Sequence, residues 1–257
     1  MTRHEFLRIL HQVLQPESYL EIGVQHGDSL RLAQCPADGI DPNADPELER
    51  EIPNASIFRV TSDVFFEPLL VAPAAKDLIF IDGDHLIEQV CRDFSNVERW
   101  CCHSGTLVVL DDVLPYNQAM GSRVPCPGDW SGDAWKMWYL LNDQRSYDMR
   151  LVDVSPAGLL LVHGFHHHQR PASLPPGGWP PAPEPPLTVN MTWATTEVPD
   201  EVLRRSWAVR PDEAVEWVQG TIVELPEWTV QPGGPPLPPG NIGIPLESVP
   251  SKADQDR

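Results

Sequence analysis

The chain is poor in positive charge. Its 257 residues hold 18 Lys and Arg against 37 Asp and Glu, a formal net charge of −19. A duplex or an anionic membrane surface demands a basic face, and none is visible, so neither nucleic acid nor membrane is expected as a partner. Cysteine in any useful spacing is also lacking. There are five, an odd number, with the adjacent pair Cys101-Cys102, no CxxC and no spaced framework. With no leader at the N-terminus, where charges interrupt the apolar stretch, that pattern fits reduced thiols and a cytoplasmic setting. No run approaches the ~18 apolar residues that a spanning helix needs. There is no internal repeat, and the glycine pattern GxGxxG that serves pyrophosphate cofactors is missing.

What is present alternates. Phe6, Leu7, Leu10, Val13 and Leu14 share one face of a helix over 4–14 that Pro16 closes. Strands are expected at 18–24, 38–43, 56–61, 77–82 and 105–112, with helices at 28–34, 85–102 and 132–144 between or after them. Within Asp77–Asp82 and Gly105–Asp112 the stretches 78–81 and 107–110 are apolar, as in strands buried on both faces of a parallel sheet. Segments 149–154 and 158–163, split by Ser155-Pro-Ala-Gly158, read as an antiparallel hairpin. The fold class is therefore α/β: a Rossmann-like, doubly wound, mostly parallel sheet of seven strands with a C-terminal hairpin. The domain is expected over 1–165, with a Pro-rich, partly irregular extension over 166–257. Within it a modest helix returns at 199–219, where Pro211 suits a helix start.

On such a sheet, ligands bind beyond the carboxyl ends of the strands. There the sequence places Glu21-Ile-Gly-Val-Gln-His-Gly27-Asp-Ser29, then Asp41, which lies twenty positions after Glu21. Glycines in a strand-to-helix turn allow close approach of the backbone, although a tight corner alone explains them. An acidic side chain at the second strand end can accept the hydroxyls of a ribose. Farther along, Asp82, Asp84 and His85 end one buried strand, and Asp111 and Asp112 end another. Carboxylates brought that close hold protons or a cation, and oxygen ligands suit Mg²⁺.

The ordered set Glu-Ile-Gly-x-x-x-Gly-x-Ser, Gly-Ile-Asp, Ile-Asp-Gly-Asp-His and Val-Leu-Asp-Asp is similar to class I S-adenosylmethionine-dependent methyltransferases. It resembles the small-molecule O-methyltransferases with an IDGDHxxxxVxxD signature (methyltransferase family 24-like) over roughly residues 17–163. The resemblance implies that Glu21, Gly23, Gly27 and Ser29 flank the methionine part of S-adenosylmethionine. It implies that Asp41 binds the ribose, that Ser62 and Asp63 sit near the adenine, and that Asp82 lies by the cofactor. In metal-dependent relatives the positions of Asp82, Asp111 and Asp112 bind the ion, here expected as Mg²⁺. The implied reaction is O-methylation of a small-molecule acceptor, with His85 or Lys136 assisting proton removal; a homo-oligomer is compatible with it. A nucleotide-cofactor (NAD-type) oxidoreductase and a non-catalytic scaffold are the competing readings.

Blander roles stand beside these. Asp63 suits a helix N-cap, Asp112 a cap on the next segment, and His85 a solvated first helical turn. Glu88 and Asp93 belong to the polar face of the helix after His85. In Trp130-Ser-Gly-Asp-Ala-Trp-Lys-Met-Trp-Tyr139, Asp133 is a cap. Trp135 and Trp138 suit either stacking on a flat substrate or core packing. His163, His166, His167 and His168 lack acidic or cysteine partners at ligand spacing and read as a polar stretch.

Overall fold

In the computed structural model, residues 1–67, 73–144, 147–165 and 196–223 are described, all within one compact unit spanning Met1–Leu225. Helix α1 (Arg3–Leu14) starts from a capping box, in which Thr2 accepts from Glu5 N–H and the Glu5 carboxylate accepts from Thr2 N–H. It buries Phe6, Leu7 and Leu10. Strands β1 (Tyr19–Ile22), β2 (Ala37–Ile40), β3 (Ala55–Phe58), β4 (Leu78–Ile81), β5 (Leu107–Asp111), β6 (Asp148–Val152) and β7 (Leu159–His163) form one seven-stranded sheet. The order is β3-β2-β1-β4-β5-β7-β6. The first five strands run parallel, and β7 is antiparallel to both β5 and β6. β1, β4, β5 and β7 are buried along their whole length, which is why β4 and residues 107–110 of β5 read as apolar runs.

The remaining helices are α2 (Leu48–Glu51), α3 (Ser62–Phe65), α4 (Ile87–Cys101), α5 (Lys136–Gln144), α6 (Asp200–Leu203) and α7 (Pro211–Val218). Two apolar layers cover the sheet. One joins α4 and α5 to residues such as Ile79, Ile81, Val108 and Leu110. The other joins α1 and α7 to Phe80, Val109, Leu159 and Leu161. This alternation along each strand is the period-2 signature of a sheet buried on both faces.

The helix expected over 28–34 is only a 3-10 turn at Leu30–Leu32. Pro36 and the start of β2 at Ala37 leave no length for more. The return of helix near 199–219 takes the form of α6 and α7. Val209 exchanges backbone hydrogen bonds with β6, donating to Leu151 O at 2.8 Å and accepting from Asp153 N at 3.0 Å. Ala214 and Val218 are buried in the layer that holds α1. The segment 196–223 is thus packed on the same unit as the sheet. No helix among the described residues is long and apolar enough to cross a membrane.

Candidate active site

The sheet reverses its winding between β1 and β4, and a cavity of ≈ 780 Å³ opens there beyond the carboxyl ends of the strands. Its walls are Ile22, Gly23 and Gln25 after β1, Ile40 to Asn43 after β2, and Thr61 to Asp63 after β3. Asp82 to Leu86 after β4, Gln89 and Asp93 on α4, Arg3 on α1 and Trp130 complete it.

Gly23 holds the turn together for a definite reason. Its φ is +92°, and a Cβ there would lie 1.8 Å from Asp82 O. Gly23 N–H donates to Ile40 O (2.9 Å), and Asp82 N–H donates to Ile22 O (2.8 Å). The glycine therefore lets β1, β2 and β4 converge at one point. Gly27 (φ +76°) lies outside the cavity wall, and a Cβ there would meet Leu48 Cδ2 of α2 at 2.6 Å. Asp41 lines the cavity and accepts Gln25 N–H (2.8 Å) and Asn43 N–H (2.7 Å), one on each oxygen. Each oxygen keeps a lone pair for a ligand hydroxyl.

Glu21 and Ser29 lie behind this wall. Glu21 is fully buried, and accepts from Ser29 Oγ (2.6 Å) and Tyr19 Oη (2.8 Å). Burial raises its carboxyl to about 7, against the opposing pull of those two hydrogen bonds. Ser62 and Asp63 line the cavity, but the cap of α3 is Thr61, whose Oγ1 accepts Val64 N–H; Asp63 sits in the first turn.

Asp93 is not on a polar face. It is 1% exposed, lines the cavity, and burial pushes its carboxyl up to about 6. Its Oδ1 accepts from Gln89 Nε2 (2.9 Å), while Oδ2 has no hydrogen-bond partner of good geometry. The nearby Ser62 hydroxyl eases that charge electrostatically.

At the β4 and β5 ends the carboxylates do gather, but not as the spacing alone implied. His85 Nε2 lies 3.2 Å from Asp112 Oδ2 and 3.9 Å from Asp82 Oδ1. These three residues offer ligand atoms within 4.8 Å of one another. Asp111 is not part of that group: it is paired with the guanidinium of Arg3, which also reaches Asp82 Oδ2 at 3.3 Å. Burial, reinforced by repulsion from Asp111, raises the Asp82 and Asp112 carboxyls well above the usual range. Burial also raises Asp111, against the attraction of Arg3. Asp112 is held at φ +67°, a sparsely populated conformation for a non-glycine residue, with its N–H donating to Asp111 Oδ1 at 2.8 Å.

His85 is oriented from outside the sheet. Its Nδ1 lies 2.7 Å from Trp130 O, a carbonyl that can only accept, so Nδ1 carries the proton. The other ring nitrogen, Nε2, faces the two carboxylates. The Trp130 ring stacks on the imidazole, with centroids 5.2 Å apart. Gly132 backs against the same residue, because a Cβ there would fall 2.2 Å from His85 O. Asp133 N–H donates to His85 O (3.1 Å), and Asp133 Oδ1 accepts Ile87 N–H (2.9 Å), which caps α4 rather than α5.

Lys136 is buried and ion-paired with Asp133 Oδ2 at 2.8 Å, outside the cavity wall; Arg123 binds the same oxygen at 2.6 Å. Trp135 is completely buried, with its Nε1–H on Gly121 O, and Trp138 packs against the core. Neither lines the cavity. Trp130, Arg3 and Asp93 are among the wall residues that sequence reasoning left without a role in the site. Of these, Trp130 stood in the aromatic motif already singled out, and Asp93 is the last residue of the IDGDHxxxxVxxD signature. His163 is buried with Nδ1 2.9 Å from Thr106 O; His166, His167 and His168 lie outside the described residues.

Residues 20–113, well under half of the chain, match a family model described as a methyltransferase domain. No curated protein matches the sequence. Among solved structures, an S-adenosylhomocysteine-bound methyltransferase from Podospora anserina is 14% identical, with 63% of this chain and 77% of that one covered and a TM-score of 0.51. An O-methyltransferase from Bacillus cereus in complex with S-adenosylhomocysteine is 16% identical, with 63% and 80% covered and a TM-score of 0.47. At such identities these likenesses bear on the fold alone. Residues 20–113 are thus similar to a methyltransferase domain, and the sheet order is that of a doubly wound α/β fold.

Proposed function

We propose that the protein transfers the methyl group of S-adenosylmethionine to an oxygen of a small-molecule acceptor. The observation that carries this reading is the presence, in one cavity, of Asp41 at the end of β2, where a ribose can be held, and of His85 after β4. Gly23 and Gln25 border the cofactor side, and Ser62, Asp63 and Asp93 suit its nucleobase end. Glu21 and Ser29 act from behind the wall by fixing the β1 turn.

His85 is the base of this reading. With its proton on Nδ1 and held by Trp130 O, its Nε2 takes the acceptor hydroxyl proton. The oxygen lone pair attacks the methyl carbon in line as the carbon–sulfur bond breaks. S-adenosylhomocysteine and the methyl ether leave. Asp112, at 3.2 Å, and Asp82 steady the imidazolium that forms. Lys136, committed to Asp133, supports the loop that orients His85 and does not meet substrate.

A second reading adds a divalent ion such as Mg²⁺. Asp82, Asp112 and His85 fit one, since they offer two hard oxygens and an imidazole nitrogen at close range. A bound ion would supply Lewis-acid polarisation of the acceptor oxygen. It would also take the Nε2 lone pair that the first reading needs. The acidic surface, with its net charge of −19, supports a small acceptor over nucleic acid. Five free cysteines support a reducing, cytoplasmic setting.

The test is calorimetry with S-adenosylhomocysteine and with NAD on the full chain, followed by methyl transfer from labelled S-adenosylmethionine to a panel of phenols and alcohols. Binding of S-adenosylhomocysteine with labelled ether product is expected. Binding of NAD in its place would overturn the reading.

A further inference from the structure

Helix α1 is legible in the sequence, but its position is not: its first turn enters the acidic end of the cavity. The placement is fixed by packing. Arg3 N–H donates to Ser155 O (3.0 Å), Ser155 N–H donates to Met1 O (3.0 Å), and Phe6, Leu7 and Leu10 are completely buried. Arg3 therefore projects from an anchored helix, and its guanidinium lines the cavity. It pairs with Asp111, the most buried of the three carboxylates, and reaches Asp82 Oδ2 at 3.3 Å. The other oxygen of Asp111 accepts Asp112 N–H at 2.8 Å. Each oxygen of Asp111 thus already accepts one bond, one of them from a cation, and the residue stands apart from the group formed by Asp82, His85 and Asp112.

We propose that Arg3 is a tethered counter-ion that withdraws Asp111 from the donor set, so that the cluster binds a divalent ion only weakly and His85 Nε2 stays open as a base. Three carboxylates, two of them buried, and an imidazole would otherwise make a site for a hard divalent cation. Here a single positive charge is already seated among them. A doubly charged ion entering beside it meets direct repulsion, which is strong where water is sparse. It also finds one ligand fewer. The protein itself supplies the neutralising charge, through a residue more than a hundred positions away in sequence from the carboxylate it holds.

This inference rests on the reading that His85 faces the acceptor, and the two fail separately. The probe is Mn²⁺, followed by calorimetry and by its electron-spin signal, on the full chain. Wild type is expected to bind it weakly. Arg3→Met is expected to bind it at least about tenfold more tightly, while Arg3→Lys, which keeps the charge, stays close to wild type. Asp111→Asn should leave wild-type Mn²⁺ affinity within about threefold but cancel the gain in the Arg3→Met background, a coupling that a double-mutant cycle reads directly. Thermal unfolding of each variant reports whether α1 remains docked, and the comparison of Asp111→Asn with wild type needs no change at Arg3. An Arg3→Met protein no tighter than wild type, or a wild-type Mn²⁺ site abolished by Asp111→Asn, would overturn the proposal. Loss of S-adenosylhomocysteine binding across all proteins would instead remove the functional reading and leave the Mn²⁺ comparison standing.

Discussion

Gly23→Ala tests the convergence of strands on which the whole cavity depends. At φ +92° an added Cβ carries a conformational cost of about 1–2 kcal/mol. The larger cost is steric. The Cβ would sit 1.8 Å from Asp82 O, 2.4 Å from Asp82 C and 2.8 Å from Gly83 N. All three are backbone atoms, so no side chain can swing aside, and the end of β1 must move away from the end of β4. That separation strains the bonds from Gly23 N–H to Ile40 O and from Asp82 N–H to Ile22 O, each contributing about 1 kcal/mol. Overpacking of a tight site adds about 1–3 kcal/mol. Together these give about 5 kcal/mol, comparable to the whole stability of a marginal domain.

Gly128→Ala is the control. It has the same φ of +92°, but nothing lies within 4 Å of its added Cβ, so it carries the conformational cost alone. Urea unfolding followed by tryptophan fluorescence should show Gly128→Ala about 1 kcal/mol below wild type. Gly23→Ala should be several times worse, with S-adenosylhomocysteine affinity lost in whatever fraction folds. If the two variants unfold alike and both keep wild-type affinity, Gly23 does not serve close approach to β4, and the argument is wrong.

Three further outcomes are expected. Glu21 is raised to about 7 in the folded protein, so its protonated form favours folding; the contribution is full below the unfolded value near 4.5 and is lost as pH rises through 7. Glu21→Gln should therefore flatten a decline of about 3 kcal/mol between those pH values, read from urea midpoints across pH. Lys136→Met leaves Asp133 with Arg123 alone and should cost about 3–5 kcal/mol of stability; kcat of the folded enzyme should hold, whereas a stable protein with a collapsed kcat would make Lys136 catalytic. Trp130→Ala removes the ring stacked on His85, and should lower kcat about 10–100-fold while leaving the affinity for S-adenosylhomocysteine nearly intact; equal losses in both would place Trp130 on the cofactor instead.

The order of elements was legible because its signals are local. Apolar runs at 78–81 and 107–110 mark strands buried on both faces. Ser155–Gly158 marks the turn between β6 and β7. Gly23 and Asp41 could likewise be assigned to strand ends, and the ends of a doubly wound sheet are where its ligands go. Other readings failed where the partner is distant along the chain. Asp93 has the spacing of a solvent-facing helical residue, yet α3 and the β4 turn cover it and leave it 1% exposed. Asp133 precedes α5 but caps α4, because the loop carrying it folds back over His85. Trp130 gained its place by the same fold-back.

The sequence by itself determined the sheet, its parallel and antiparallel parts, and the gathering of acidic groups at the ends of β4 and β5. Those follow from periodicity and turn chemistry, which act over a few residues. Only the tertiary structure decided how the gathered charges divide. Asp111 goes to Arg3, Asp112 goes to His85 and Asp82 lies between the two, because α1 packs its first turn against the loop at Ser155 and brings a cation to one side of the cluster. Neighbouring aspartates look equivalent in a sequence; the direction from which a positive charge arrives makes them different.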